Sequence, residues 1–346
     1  MKVKGQAAKQ QQLAVFRRMC SFLIDYILAF GGRIRDLVKM TDEVVIYDID
    51  EWLKENSKFF LPPVCNKMMH QKGQMKSFYV GGPNQRKDYH LEEGEELFYM
   101  QKGDMCLKVV EHGKHRDVPI KEGEIFLLPA CIPHSPQRQA DTIGLVLERE
   151  RALEELDALR YFVEGTTESL YEEWFHVEDL GTQLAPVIKR YFASEQHKTG
   201  KPIPGTIPED PPITVDTKET LMQPFCFKDW MEKHSEEIDS KGSKKVFEGN
   251  FQFSITMHGA GDEVGGCEAA ESWLWQLEGK SEVTVGNEKV KKFELPKNSI
   301  MLIPQDTKYT AKREKGSRCL VCYQDPRKKI SQEDRKKAAA AEAKKE

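Results

Sequence analysis

The sequence predicts a mainly β protein, two barrels or sandwiches of short strands in tandem with a few peripheral helices. Three observations lead there. Between residues 88 and 147, short alternating runs are punctuated by turn signals at Glu93-Gly94, Lys102-Gly103-Asp104, His112-Gly113-Lys114 and Glu122-Gly123. Strands at that spacing indicate an all-β sandwich or barrel. The same pattern then returns. Asp229-Trp230-Met231-Glu232 echoes Glu51-Trp52-Leu53-Lys54, Trp273-Leu-Trp-Gln-Leu-Glu-Gly279 echoes Leu97-Phe-Tyr-Met-Gln-Lys-Gly103, and Met301-Leu-Ile-Pro304 echoes Phe126-Leu-Leu-Pro129. Repetition of a domain-sized unit implies a duplicated fold. Finally, helical periodicity is confined to short stretches.

In chain order, residues 1–43 form an N-terminal extension. Arg17-Arg18 precede an apolar run over 19–30 that is broken by Asp25. The run is shorter than the roughly 20 residues a bilayer span needs, and it lacks a small-x-small cleavage site. A weakly helical or disordered appendage, or a start upstream of Met40, is preferred to a targeting segment. A first domain occupies 44–200. It opens with a short strand at Val44-Val45-Ile46-Tyr47 and a short helix begun by Asp50-Glu51 and closed by Pro62-Pro63. The dense strand series follows. Leucines 153, 156 and 159 share a helical face over 150–162, and similar stripes recur over 168–175 and 184–192, so helices packed outside the barrel are expected in all three places. Residues 201–223, rich in Pro, Gly and charge, read as a linker. A second domain spans 224–328, and 329–346 form a charged, solvated, helix-compatible tail.

Composition narrows the function class. Hydrophobic residues make up 39% and charged residues 31% of the 346, with a net charge of −4. No domain-wide basic excess is available for nucleic acid or an anionic membrane surface. Eight cysteines at irregular spacing do not form a disulfide framework and fit a reducing compartment. The one Cys-x-x-Cys, Cys319 and Cys322, has no second pair to complete a zinc site. Its three-residue offset puts the two thiols on opposite faces of a strand, so buried thiols are expected.

The chemistry gathers between Arg86 and Arg138. Arg86, Asp88 and His90 are spaced by two and share a face of an extended chain. The turn at Gly94 returns Glu96 to the neighbourhood of His90, and Phe98 and Met100 continue the face of Glu96. A carboxylate directed into an apolar interior is costly unless paired or metal-bound. His134, between Pro133 and Pro136, stands at the mouth of another strand pair. Two histidines and a carboxylate converging from separate strands are the ligand set of a non-haem Fe(II) oxygenase site. Any one of these residues alone is more economically read as a surface or core side chain, and it is the joint spacing that raises the set. His112 and His115 are read as solvated, and Glu92, Glu93 and Glu95 as a solvated acidic hairpin tip.

These residues resemble the two motifs of the cupin superfamily, whose fold is a jelly-roll β-barrel. His90, Glu96 and Gly103 match the first motif, and Gly123, Pro129 and His134 the second. Glu92 stands where most cupins carry another histidine, which favours a two-histidine, one-carboxylate set. Longer stretches are similar to the 3-hydroxyanthranilate 3,4-dioxygenase family. They are Pro62-Pro-Val-Cys-Asn-Lys-Met-Met-His70, Gly81-Gly-Pro-Asn-Gln-Arg-Lys-Asp-Tyr-His90, Phe126-Leu-Leu-Pro-Ala-Cys-Ile-Pro-His-Ser-Pro-Gln-Arg138, Asp179-Leu-Gly-Thr-Gln-Leu-Ala-Pro186 and Thr199-Gly-Lys-Pro202.

The resemblance covers roughly residues 44–325. It implies a cytosolic enzyme with one Fe(II) per chain that opens 3-hydroxyanthranilate with O2 to 2-amino-3-carboxymuconate semialdehyde, which cyclises to quinolinate on the kynurenine route to NAD. It implies iron ligation by His90, Glu96 and His134, with Arg86 on the dioxygen side. Glu96, Arg138 and Glu148 form the substrate-facing set, Arg138 for the carboxylate and Glu148 as hydrogen-bond acceptor and base. Asn66 is a further candidate for the pocket lining, while Cys65 and Cys131, near the motifs, receive no role. Alignment on the echoes puts Gly266, Ser272 and Tyr309 where His90, Glu96 and His134 stand, so the second barrel is expected to be metal-free. By covering a face that a single-domain relative would bury in a dimer, it makes a monomer the expected state. No partner macromolecule or membrane is expected. The rival readings are a catalytically inactive bicupin that binds or regulates, and a cupin isomerase using another metal.

Overall fold

The computed structural model describes residues 43–61, 65–70 and 73–342. The N-terminal extension, apart from Glu43, and the Pro62-Pro63 stop lie outside the described residues. The described residues open with β1 (Val45–Asp48) and helix α1 (Ile49–Asn56), followed by β2 (Asn66–Met68), β3 (Met75–Gly81), β4 (Tyr89–Leu91), β5 (Glu96–Lys102), β6 (Met105–Glu111) and β7 (Lys114–Ile120). Next come β8 (Glu124–Leu128), β9 (His134–Arg138), β10 (Ile143–Arg149), β11 (Asp157–Phe162), β12 (Ser169–Phe175), α2 (Leu180–Ala193) and α3 (Glu195–Thr199). The second half holds β13 (Phe225–Cys226), α4 (Phe227–Lys233), α5 (Ser235–Lys241), β14 (Ser243–Lys245), β15 (Phe253–His258), β16 (Gly261–Gly265) and β17 (Ser272–Glu278). It ends with β18 (Ser281–Val285), β19 (Lys291–Leu295), β20 (Ser299–Ile303), β21 (Tyr309–Arg313), β22 (Arg318–Gln324) and α6 (Gln332–Glu342).

Two of the three expected helices are strands. Residues 157–162 and 169–175 pair antiparallel as β11 and β12, with Arg160 opposite Glu172. The leucine spacing misled: Leu153 lies 92% exposed in a turn, while Leu159 is buried in the sheet. Tyr161, Phe162, Tyr171, Trp174 and Phe175 are strand formers. The charges that looked like a solvated helix face are cross-strand partners, Arg160 Nε lying 2.8 Å from Glu172 Oε1. The third stripe forms α2.

The strands make two sandwiches of matching topology. One sheet of the first half runs β13-β8-β5-β10-β3-β2 and its second-half counterpart β1-β20-β17-β22-β15-β14. The opposing sheets run β12-β11-β4-β9-β6-β7 and β16-β21-β18-β19. The correspondence is strand for strand, apart from β11 and β12, which occur only in the first half. The leading strands are exchanged. β1 pairs with β20, Val45 opposite Leu302, while β13 pairs with β8, Phe225 opposite Ile125. After each comes a short helix. In α1, Asp48 caps the first turn by accepting from the Glu51 N–H at 2.9 Å, and Trp52 packs on Phe60 and Tyr79.

Period-2 alternation sorts the side chains. On β5, Leu97 and Tyr99 turn toward the second half, while Phe98 and Met100 line the interior of the first barrel. On β17, Trp273 and Trp275 point to the shared core and Leu274 to the second barrel's own interior. The shared core thus joins Met75, Tyr79, Leu97 and Leu145 to Trp273, Ile300, Leu302 and Leu320. Cys322 belongs to it and Cys319 to the inner cluster of the second barrel, so both thiols are buried and on opposite faces of β22. No helix among the described residues is long and apolar enough to cross a membrane.

Candidate metal centre

The site lies inside the first barrel, where three strand ends meet. β4 and β9 pair so that His90 stands directly opposite His134, and Glu96 opens β5 after the turn over 92–95. All three side chains are buried. One donor atom from each, two imidazole nitrogens and a carboxylate oxygen, lies within 4.8 Å of the others. The outward-facing nitrogens fix the rings. His90 Nε2 donates to Asp157 Oδ2 at 2.7 Å and His134 Nδ1 to the Ile132 carbonyl at 3.0 Å. Since a carbonyl and a carboxylate only accept, those nitrogens carry the protons, and His90 Nδ1 and His134 Nε2 are left facing Glu96.

These residues suit a divalent transition metal. His134 Nε2 and Glu96 Oε1 are 2.7 Å apart. That is a lone pair against a carboxylate oxygen, an approach that needs a cation or a proton between them. Glu96 Oε1 accepts no hydrogen bond. The surrounding charge points the same way: Glu92, Glu96, Glu148 and Asp157 crowd the site. Burial opposes ionisation of Glu96, but His134 and His90 hold its carboxyl well below the usual carboxylate range. Burial disfavours the charged form of His90, yet Asp157 and Glu96 raise it to about 9. A metal ion would displace that proton.

A slot opens beside the His90, Glu96 and His134 cluster. Arg86, Arg138, Glu148 and Asn66 face it alongside His90, Glu96 and His134. Phe78, Val80, Phe98, Pro136 and Val146 supply apolar walls, and Leu180 and Leu184 of α2 complete the lining. Arg86 is clamped by its backbone to the Gln137 side chain, and its Nε donates to Asp88 at 2.9 Å. Arg138 is different. It is 2% exposed, has no ion-pair partner among the described residues, and its Nε has no hydrogen-bond acceptor. Burial pushes its guanidinium down to about 10. Glu148 on β10 meets Arg151 at 2.9 Å, and burial pushes its carboxyl up.

Sequence reasoning missed Arg151 and Asp157 and misread Glu92, Glu93 and Glu95. These three glutamates are buried, not a solvated tip. Glu92 meets Arg151 at 2.7 Å, Glu93 accepts from Gln332 at 2.9 Å, and Glu95 accepts from the Gln252 and Phe253 N–H groups at 2.9 and 2.8 Å. Each partner is distant in sequence, so local composition could not reveal it. His112 and His115 are exposed as expected. The tail is anchored at its start rather than wholly solvated, through Gln332 and through Lys329, which reaches Glu155 at 2.8 Å.

In the second barrel the register corrects the alignment by one residue. Gly265, not Gly266, stands opposite Tyr309 as His90 stands opposite His134. A Cβ at Gly265 would come within 2.3 Å of the Tyr309 ring, so the phenol fills this space. Arg313, the counterpart of Arg138, is paired with Glu263, which also accepts from the Tyr309 hydroxyl at 2.7 Å. At the places that match His90 and His134 the second barrel thus holds Gly265 and Tyr309, with Arg313, Glu263 and the Tyr309 hydroxyl paired among themselves.

A family model described as 3-hydroxyanthranilic acid dioxygenase matches residues 40–192. Curated relatives named 3-hydroxyanthranilate 3,4-dioxygenase include one from Xenopus tropicalis, 53% identical over 279 residues that cover 81% of this chain and 98% of that one. The Nematostella vectensis relative is 52% identical, covering 77% and 94% respectively, and the human relative 48%, covering 80% and 94%. Among solved structures, oxalate decarboxylase from Bacillus subtilis aligns over 73% of this chain and 68% of that one at 17% identity, with a TM-score of 0.41. At half-identity over nearly the full length of these relatives, the chain belongs to the 3-hydroxyanthranilate 3,4-dioxygenase family.

Proposed function

We propose that the protein is a ring-cleaving dioxygenase with one Fe(II) per chain, held by His90, Glu96 and His134. It takes 3-hydroxyanthranilate and O2 to 2-amino-3-carboxymuconate semialdehyde, breaking one ring C–C bond and placing both oxygen atoms in the product. That product feeds quinolinate and NAD formation in the cytosol. The observation that carries the reading is Arg138. A buried guanidinium without an anion is costly, and this one borders an apolar slot beside a two-histidine, one-carboxylate set. An aromatic carboxylic acid satisfies both the cation and the walls.

A ferrous ion supplies the one-electron chemistry that dioxygen activation requires. The chain's own groups do the rest. Arg138 receives the substrate carboxylate in a bidentate pair, and the walls from Phe78 to Leu184 hold the ring and exclude water. Glu148 accepts a hydrogen bond from the hydroxyl or amine and takes up its proton, a task suited to a carboxyl raised by burial. Arg86, fixed by Asp88 and Gln137, presents a cation where negative charge develops on dioxygen. The second barrel makes the chain monomeric by covering the first barrel's apolar sheet.

Anaerobic loading with Fe(II), then addition of 3-hydroxyanthranilate and oxygen, tests the proposal. Oxygen uptake with a new muconate-type absorbance is expected. Full iron occupancy without uptake would overturn it and leave the inactive-bicupin reading, which the intact set of Arg86, Arg138 and Glu148 does not favour.

A further inference from the structure

We propose that Arg151 is the positioning residue of this site, one guanidinium that holds Glu148 toward the slot and Asp157 behind His90. The substrate side of the inference rests on the ring-opening reading above; the metal side does not.

All three guanidinium nitrogens are engaged. Nη1 meets Glu148 Oε1 at 2.9 Å and donates to the Arg149 carbonyl at 3.0 Å. Nη2 meets Glu92 Oε2 at 2.7 Å and Asp157 Oδ2 at 2.8 Å. Nε reaches Asp157 Oδ1 and Oδ2 at 3.1 and 3.0 Å. Every side chain in this group is buried. Asp157 Oδ2, held by that fork, accepts from His90 Nε2 at 2.7 Å. An imidazole ligand is oriented through its second nitrogen, and a carboxylate in that place sets both its tautomer and its basicity. On the other side, Arg151 occupies one oxygen of Glu148, a residue that lines the slot. Arg151 therefore links the group that orients a metal ligand to the group that meets the substrate without touching either metal or substrate. Planarity matters here, because a lysine ammonium at the same place cannot serve three carboxylates in fixed directions.

A neighbour shows what a purely structural arginine looks like in the same environment. Arg149, two residues earlier, makes a bidentate pair with Glu155 at 2.6 Å and donates to Gln252 at 3.2 Å. It does not line the slot and none of these contacts is with a slot residue. Both arginines are buried and paired with carboxylates, and only the side chain of Arg151 contacts a residue that lines the slot.

The test compares R151K with R149K in the full chain, with D157N beside them. Metal-free protein is titrated with Co(II) and followed by visible absorption, and the Fe(II)-loaded protein is assayed for turnover. R151K and D157N should weaken Co(II) binding ten- to a hundredfold, the usual scale for loss of an orienting partner. The R151K/D157N double variant should bind Co(II) no more weakly than D157N, because both act through one path. In turnover, R151K should lower kcat by about tenfold or more and change KM less, since Arg138 is intact. R149K should lose thermal stability yet keep wild-type Co(II) affinity and kcat. A folded R151K with wild-type Co(II) affinity and turnover would overturn the proposal, as would R149K behaving like R151K. If wild-type protein binds Co(II) but opens no ring, the functional reading fails while the Co(II) arm still decides the role of Arg151.

Discussion

Arg138 and Arg313 occupy matching places in the two barrels and have opposite fates. Arg313 is neutralised by Glu263 and Arg138 is left without an anion. Arg138→Ala should therefore raise KM for an aromatic carboxylate by about a hundredfold, the scale of a lost charge-assisted pair, with iron content retained; steady-state kinetics and metal analysis check both. His134→Ala should abolish iron retention instead. Acid should weaken the fold through Glu155. Burial favours neutral Glu155, but hydrogen bonds and charge from Arg149, with Lys329 and the Ala152 N–H, hold its carboxyl at about 2. That lies below the roughly 4.3 of an unfolded glutamate, so its contribution is present above pH ~4.3 and is lost as pH falls toward 2. Linkage puts it at about 3 kcal/mol. Denaturation curves of wild type and Glu155→Gln should converge across that window, and a constant gap would refute the assignment. His90, Glu96, His134 and Arg86 were legible in the sequence because strand periodicity and motif spacing are local, whereas Arg138 and Glu148 came only from the family resemblance. Arg151 and Asp157 were not, because their meaning comes from partners brought in by tertiary folding.

At the scale of elements, the strand series over 88–147 could be read because turn signals and alternation agree there. Residues 150–175 could not, since the three leucines fall in a turn, a connecting segment and a strand, and pairing across the sheet, not their spacing, decides the structure. The exchange of β1 and β13 was invisible, as a strand does not record which sheet it joins. Matched strands give a direct comparison of sites. Gly265→Ala pushes a methyl against the Tyr309 ring and should destabilise by about 1–3 kcal/mol, as overpacking does. Gly265→Ala combined with Tyr309→Phe, which removes only the hydroxyl, should recover little, since the ring makes the clash. Chemical denaturation checks this, and full recovery would mean that the hydroxyl, not the ring, sets the fit.

Across the whole molecule the two barrels share one apolar core, with Trp273, Trp275 and Leu320 set against Met75, Tyr79 and Leu145. Unfolding should therefore be a single cooperative transition that tryptophan fluorescence and circular dichroism report at one midpoint. Light scattering should give a mass near the 39.8 kDa of one chain; a stable dimer would contradict the role assigned to the second barrel. The crossed leading strands carry a further consequence, for the order in which the chain matures on a ribosome. β8 cannot gain its outer neighbour until Phe225 and Cys226 have been made, and β1, the earliest strand among the described residues, waits for β20 near residue 300. Until then both sheets offer bare edges. The first barrel is thus closed only by a strand encoded beyond its own domain, and a message truncated before residue 225 yields an open edge rather than a smaller enzyme.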